Sequence, residues 1–545
     1  MRKLGIDRPN RSGHYWVPVS GPEIQFHIGK IVLLGMCMMG AVMVGLLLAG
    51  APLMLVVFMF GLTWLFTLPY HSTLALVLSV ATFNSALILP GVPGRPLFWE
   101  LAASLGWSGF IVAVALRQAE PGVRERLARN RALFLGVLGY VAVLLVLIYY
   151  RGIGMKVLGV GSNSGQMGGR LYVQQIACAI FPFLFLLRPP SERWLVRLFI
   201  IQSALSVTFV LSDLAFSYSR GGLYYLLLFL ELPGDGVNFE MQDMQFGLRR
   251  FQSLFLLSLG LLSILWVWRP MRDYANRSAI WLFPVTAGFF SLGLLGGHRA
   301  LILLVLICLF VCLWAQRFFS IQRMLIFAFI SASAYLFLKT YVQELPLAAQ
   351  RALSPIPGME VDRLARTDGE ATMDGRSQLR KVGWEASKNY RWLGRGFGKN
   401  PETSLYFYRY DMAYYFVDNG TFFNGTIGLL VNTGVPGLFF FFIVLGGGTV
   451  LMFRVLGYIR EGGAEDPFLR TACVIAGLWA AQAGSFVFLH GDSEYALKTF
   501  ALHASMLMAC DWRIQMRKRA RQASPVTEEE PEEPQSLGDA LPVGA

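Results

Sequence analysis

Among the short motifs that join arginine to glycine, three stand out: Ser219-Arg220-Gly221-Gly222, Gly296-Gly297-His298-Arg299 and Gly375-Arg376. A planar guanidinium pairs bidentately with phosphate or diphosphate oxygens and keeps its charge in a low-dielectric setting. A neighbouring glycine lets a second backbone or a head group come close. Arg220, Arg299 and Arg376 are therefore candidate substrate-binding residues for a phosphate-linked ligand. The competing reading is structural, because such arginines also snorkel to lipid phosphate or bond helix-end carbonyls. A general base in such a chain would be a carboxylate or a histidine within hydrogen-bond reach of the reacting group. Asp418, in Asp418-Asn419, and His298, beside Arg299, are the candidate catalytic residues. Glu385 and the group His490, Asp492 and Glu494 are further options, although the latter also reads as a solvated turn. His298 reads equally well as a helix cap, His503 as a packing residue and Trp384 as core. No paired carboxylates or Cys/His ligand set stand out, so neither a metal nor another cofactor is expected.

These residues must be positioned by membrane helices. The 545-residue chain is 55% hydrophobic and only 15% charged, with a mean hydropathy of +0.51. A soluble domain carries roughly 25% charged residues, so this chain lacks the polar surface for a water-facing globule. Its apolar runs match the roughly 30 Å hydrocarbon layer at 1.5 Å per residue. Helices satisfy their backbone internally in lipid, which makes the expected class all-α, a polytopic integral membrane protein of about fourteen transmembrane helices. The net charge of +13 does not indicate nucleic acid. The basic residues lie between the apolar runs, where they fix orientation. The six cysteines fall in or beside apolar helices, where packing explains them, Cys308 and Cys312 included.

The first apolar run starts near residue 31, and residues 1–30 are expected to be a cytoplasmic N-terminal segment. Arg117–Arg131, Arg188–Arg197, Arg269–Arg277, Arg317–Arg323, Arg454–Arg470 and Arg513–Arg521 are basic. Placing all six on the cytoplasmic side gives cytoplasmic termini and an even number of spans. Eleven spans and an outer segment, 217–250, then occupy residues 31–341. Leu223–Leu232 is too short to cross and reads as re-entrant or interfacial. Residues 342–425 form one large periplasmic loop, expected to be a folded helical cap, and 426–511 hold the last three spans. Residues 512–545 read as a cytoplasmic, disordered tail, acidic and proline-rich after Ala523.

In this arrangement the sequence resembles the O-antigen polymerase and ligase superfamily. GGHRALILLVLICLF resembles that family's small-Arg-small turn and following helix. DGRSQLRKVGWEASKNYRWLGRGFG, from Asp374 to Gly398, is similar to its loop pattern of Gly-Arg, a Trp-bearing helix and Leu-Gly-x-Gly. FFNGTIGLLVNTGVPGLFFFF matches a polar-Asn motif followed by a Gly-x-x-Gly helix. The upstream SRGG and the loop Gly159–Gly169 are also similar. In many ligases a His-Asn pair precedes the Gly-x-x-Gly; at that spacing this chain has Phe423-Asn424.

The resemblance implies glycosyl transfer from a polyprenyl-diphosphate-linked oligosaccharide on the periplasmic side of a bacterial inner membrane. The implied protein is an exopolysaccharide or O-antigen polymerase, a glycosyltransferase that joins lipid-linked repeat units. Membrane lipid, a chain-length regulator and a flippase are the implied partners. Two alternatives stand beside it. A ligase would move finished glycan to a lipid or protein acceptor, and the absent His-Asn speaks against it. A secondary transporter or flippase would need polar groups near the bilayer midplane, where this chain has few beyond Asn84, Asp213 and His503.

Overall fold

The computed structural model describes residues 119–152, 169–207, 253–397 and 422–523, except 464, 490 and 492, together with a few isolated positions. Four of those positions pair briefly as two short strands: β1 (Ala86–Leu87) runs antiparallel to β2 (Leu230–Glu231). The second strand falls inside the segment expected to be re-entrant. The remainder of that segment lies outside the described residues, as do Arg220, Asp418, His490 and Asp492.

The helices follow the apolar runs. They are α1 (Val123–Arg129), α2 (Arg131–Arg151), α3 (Gly169–Ile180), α4 (Leu184–Leu187) and α5 (Glu192–Leu205). After these come α6 (Ser253–Trp268), α7 (Leu282–Leu294), α8 (Ala300–Ala315) and α9 (Ile321–Tyr341). The segment expected as one large loop holds α10 (Leu347–Leu353) and α11 (Arg363–Asn389), and the chain closes with α12 (Gly425–Gly462), α13 (Pro467–Gly484) and α14 (Ser493–Ala523). Among the described residues, four helices are long and apolar enough to cross a membrane: Arg131–Arg151, Ile321–Glu344, Gly425–Gly462 and Pro467–Phe488. Shorter apolar helices cover Leu171–Leu187, Ser253–Trp268, Leu282–Leu294 and Ala300–Ala315. Turns bound two of them. Arg277–Ala279 is a 3-10 turn ahead of α7, and Gly297, at φ +68°, reverses the chain between α7 and α8.

The core is helix on helix. α12 packs along α2, α8 along α13, α6 against α5 and α7, and α14 against α12 and α13. Tyr140, Phe441, Trp479 and Phe500 are fully buried at these crossings. Cys308 and Cys312 are buried with their sulfurs toward the carbonyls of Val474 and Cys473, a packing role.

At one end of the bundle the basic segments meet. Arg129 pairs with Asp511 at 2.5 Å, Arg513 with Glu120 at 3.0 Å, and Arg517 with both Glu192 and Asp466. Arg272 reaches Glu465 at 2.8 Å, and Arg460 stacks on Trp314. Arg126 is buried there, donating to the carbonyls of Leu186, Leu187, Glu120 and Pro121. Burial lowers its pKa to about 10, so it stays charged at neutral pH.

Two expectations need correction. The helix α14 does not stop at 511 but continues to Ala523, so residues 512–523 are ordered rather than part of a disordered tail. Trp512 and Ile514 are buried, and Asp511, Arg513, Arg517 and Arg519 find partners on other elements. Charge ended the apolar run, but ion pairing carried the helix on. Trp384, expected in the core, is 57% exposed. The buried face of α11 follows Leu379, Gly383 and Ser387 at helical spacing. Trp384 points about 100° away from that face.

Candidate functional site

The end of the bundle away from the paired basic segments carries the loop helices. Three arginine-bearing pieces converge there: the turn between α7 and α8, the short helix α10, and α11.

The turn places His298 and Arg299 differently. The His298 ring lies tilted on Phe255, with centroids 5.2 Å apart. No side chain caps α8, whose first turn is closed by the His298 carbonyl accepting from the Leu301 N–H. Arg299 extends to α11, where its guanidinium lies against Gly369. A Cβ at that position would come within 1.9 Å of Nη2, so any other residue would push the guanidinium aside.

The helix α11 is capped by Asp362, whose carboxylate accepts from the Leu364 N–H at 2.7 Å. Its inner face runs Ala365, Asp368, Gly369, Thr372, Arg376, Leu379 and Gly383, the i, i+3 and i+4 steps of a helix. Arg376 lies seven residues past Gly369, two turns along the same face and about 10 Å up the axis. Arg299 and Arg376 are thus brought to one side of one helix. Glu385 is not: it lies half a turn around from Arg376 and pairs with Lys388 on the exposed face, at 2.6 Å.

Arg376 stacks over Phe423, 5.7 Å from the ring centroid. Phe423 is a non-glycine residue at φ +49°, a left-handed conformation that costs a bulky side chain. Next to it, Asn424 caps α12 by accepting from the Ile427 N–H at 3.0 Å. The residue pair found in place of His-Asn therefore sits directly under one of the candidate arginines. Its asparagine is committed to starting a helix.

The Gly-x-x-Gly segment has its own local cause. Gly434 takes φ +72° and breaks α12. The Val435 N–H then donates to Arg391 rather than back along the helix, and Pro436 has no N–H to give. The carbonyls of Val431 and Asn432, left open by the break, accept from the Arg395 and Gly396 N–H groups at 2.8 and 2.9 Å. The Leu-Gly-Arg-Gly stretch is thereby stitched across the broken helix. Arg151, from the end of α2, holds the same stretch by donating to the Gly394 carbonyl at 3.0 Å.

One buried charge pair at this end was not singled out from the sequence. Arg351 of α10 and Asp368 of α11 form an ion pair with both side chains 7% exposed. Arg351 Nη1 also donates to the Gly297 carbonyl at 2.6 Å, and Nη2 to Thr372 Oγ1 at 3.0 Å. The available signal was the step Asp368, Thr372, Arg376, a polar stripe at helical spacing ahead of the Gly-Arg motif.

Elsewhere, His503 is buried among the helices and shares a hydrogen bond with Gln482, 2.8 Å. Among the described residues, no three His, Cys, Asp or Glu side chains gather as a metal site would require.

Residues 249–442 match the family model described as O-antigen ligase. The chain carries a domain of the O-antigen polymerase and ligase superfamily. The matched stretch runs from the start of α6 into α12. It includes the Gly297–Arg299 turn, α10, α11, Phe423-Asn424 and the Gly434 break, so the superfamily domain and the arginine cluster coincide. The protein is thus a multi-pass membrane protein in which residues 249–442 are similar to this superfamily. No curated protein matches the chain.

Proposed function

We propose that the protein is a polysaccharide polymerase, elongating an exopolysaccharide or O-antigen at the periplasmic face of a bacterial inner membrane. The donor is a glycan on polyprenyl diphosphate, and the acceptor is a hydroxyl of a second lipid-linked repeat unit. The oxygen of that hydroxyl attacks the anomeric carbon. The bond from that carbon to the diphosphate oxygen breaks, its electrons leave with the polyprenyl diphosphate, and the hydroxyl proton passes to a base. Negative charge builds on the diphosphate as the bond opens. Preorganised guanidinium groups aimed at that charge lower the barrier most effectively.

The observation that carries this reading is that the Arg299 guanidinium lies against Gly369, with Arg376 two helical turns further along the same face of α11. Arg220 would complete the clamp. Asp418 is the preferred base, because the His298 ring is engaged with Phe255. Phe423 at the position of the ligases' histidine favours polymerisation over transfer of finished glycan to a lipid or protein acceptor. The gathering of Arg129, Arg272, Arg460, Arg513 and Arg517 at the opposite end supports the orientation, since positive residues favour the cytoplasm. Both termini would then be cytoplasmic, with about fourteen spans in all. A flippase supplying repeat units and a chain-length regulator are the expected partners.

The test uses the purified full chain with a lipid-linked repeat unit. Arg299→Ala and Arg376→Ala are expected to abolish long-chain product at unchanged protein level, and Asp418→Asn to slow it at least tenfold. Product of normal length from both arginine variants would overturn the assignment. Finished glycan moving only to a non-repeat acceptor would make the protein a ligase instead.

A further inference from the structure

The ion pair between Arg351 and Asp368 grips both walls against which Arg299 is set. Gly297, whose carbonyl accepts from Arg351, stands two residues before Arg299. Asp368, the charge partner, stands one residue before Gly369, on which the Arg299 guanidinium rests. Thr372 is held too: its hydroxyl accepts from Arg351 and donates to the Asp368 carbonyl at 2.8 Å. It lies one turn before Arg376 on the same face of α11.

The platform carrying Arg351 is itself fixed. Gln350 donates to the carbonyls of Gln343 and Leu345, at 3.1 and 2.8 Å, and accepts from the Asp362 N–H at 2.7 Å. Every side chain from Ala348 to Leu353 is buried. A buried ion pair adds little stability over apolar residues of the same volume, because removing two charges from water offsets their attraction. What such a pair supplies is geometry. A guanidinium offers N–H groups in a rigid plane, and here they reach a carboxylate and a hydroxyl on α11 and a carbonyl in the turn before α8. A lysine ammonium lacks that fork.

The geometry points to Arg351 as a positioning residue for Arg299: it holds the Gly297–Arg299 turn in register with α11, so that the Arg299 and Arg376 guanidinium groups face one diphosphate. This rests on the diphosphate reading of Arg299. Arg351 does not touch substrate; it acts through the turn.

The test is a double-mutant cycle on the purified full chain, read as initial rates against lipid-linked repeat unit together with thermal unfolding in detergent. The paired variant Arg351→Met with Asp368→Leu removes both charges and keeps volume, so the unfolding temperature should hold. A displacement near 1 Å at a reacting group costs on the order of 100-fold. We therefore expect kcat to fall about 10- to 100-fold while KM changes less than about threefold. Arg351→Lys, which keeps the charge, should show the same loss. In an Arg299→Lys background the paired substitution should lower the residual rate by less than about threefold, because the group being positioned is gone. An equal fall in both backgrounds overturns the proposal and makes the pair general scaffolding, as does an unchanged kcat in the otherwise wild-type chain. Failure of the underlying reading shows separately: Arg299→Lys alone would then keep the full rate.

Discussion

Gly369 is where residue identity is most tightly constrained by the proposed chemistry. Within a helix, alanine is ordinarily favoured over glycine by about 1 kcal/mol. Here a Cβ would meet chiefly the far end of the Arg299 side chain, at 1.9 Å, with the Ser354 hydroxyl at 3.3 Å, so the helix can accept it if the guanidinium moves. Gly369→Ala should therefore leave the unfolding temperature unchanged or slightly raised, yet reduce polymer formation at least tenfold. A stable variant with normal activity would show that the position of Arg299 against α11 is immaterial. Phe423 has a different cost. Its left-handed backbone is held by the helix start at Asn424 on one side and by Arg376 over its ring on the other.

At the scale of elements, the break in α12 couples the loop to the membrane helices. A continuous helix would have spent the Val431 and Asn432 carbonyls internally. Broken at Gly434 and followed by Pro436, it presents them to Arg395 and Gly396. Gly434→Ala introduces a side chain at φ +72°, with its Cβ 2.8 Å from the Trp392 carbonyl. The expected cost is about 1–3 kcal/mol, seen as a lower unfolding temperature. Protease cleavage between Arg391 and Phe397 should rise as the crossing loosens. Cleavage no faster than in the parent chain would show that the crossing does not depend on the break.

For the whole molecule, the paired end is built around the extension of α14. Truncation after Cys510 removes Asp511, Arg513, Arg517 and Arg519 and so strips ion pairs from α1, α5 and α13. It also removes Trp512, over which Arg126 stacks at 4.6 Å. Truncation after Ala523 removes none of these. The shorter chain should show a marked loss of folded protein in membranes, the longer one none, measured by fluorescence-detected size exclusion. Equal yields would mean that the helices alone hold the bundle.

Composition and the length of apolar runs were enough to determine a helical membrane protein, because the need to satisfy the backbone in lipid leaves few other solutions. Order and spacing of Gly296–Arg299, Gly375-Arg376 and Gly434–Gly437 were enough to suggest the superfamily. The run of α14 past residue 511 was hidden, since its partners Glu120, Glu192 and Asp466 are far away in sequence and local charge there reads as a tail. Trp384 was misjudged because the packed face of α11 is lined by small and polar residues, which hydrophobicity alone does not reveal. Only the tertiary structure decided that Arg351 and Asp368 are buried together and that Arg299 rests on Gly369. Such contacts join segments that local preferences leave independent. A helix fixes which residues share its face, but packing chooses which face is met, and by what.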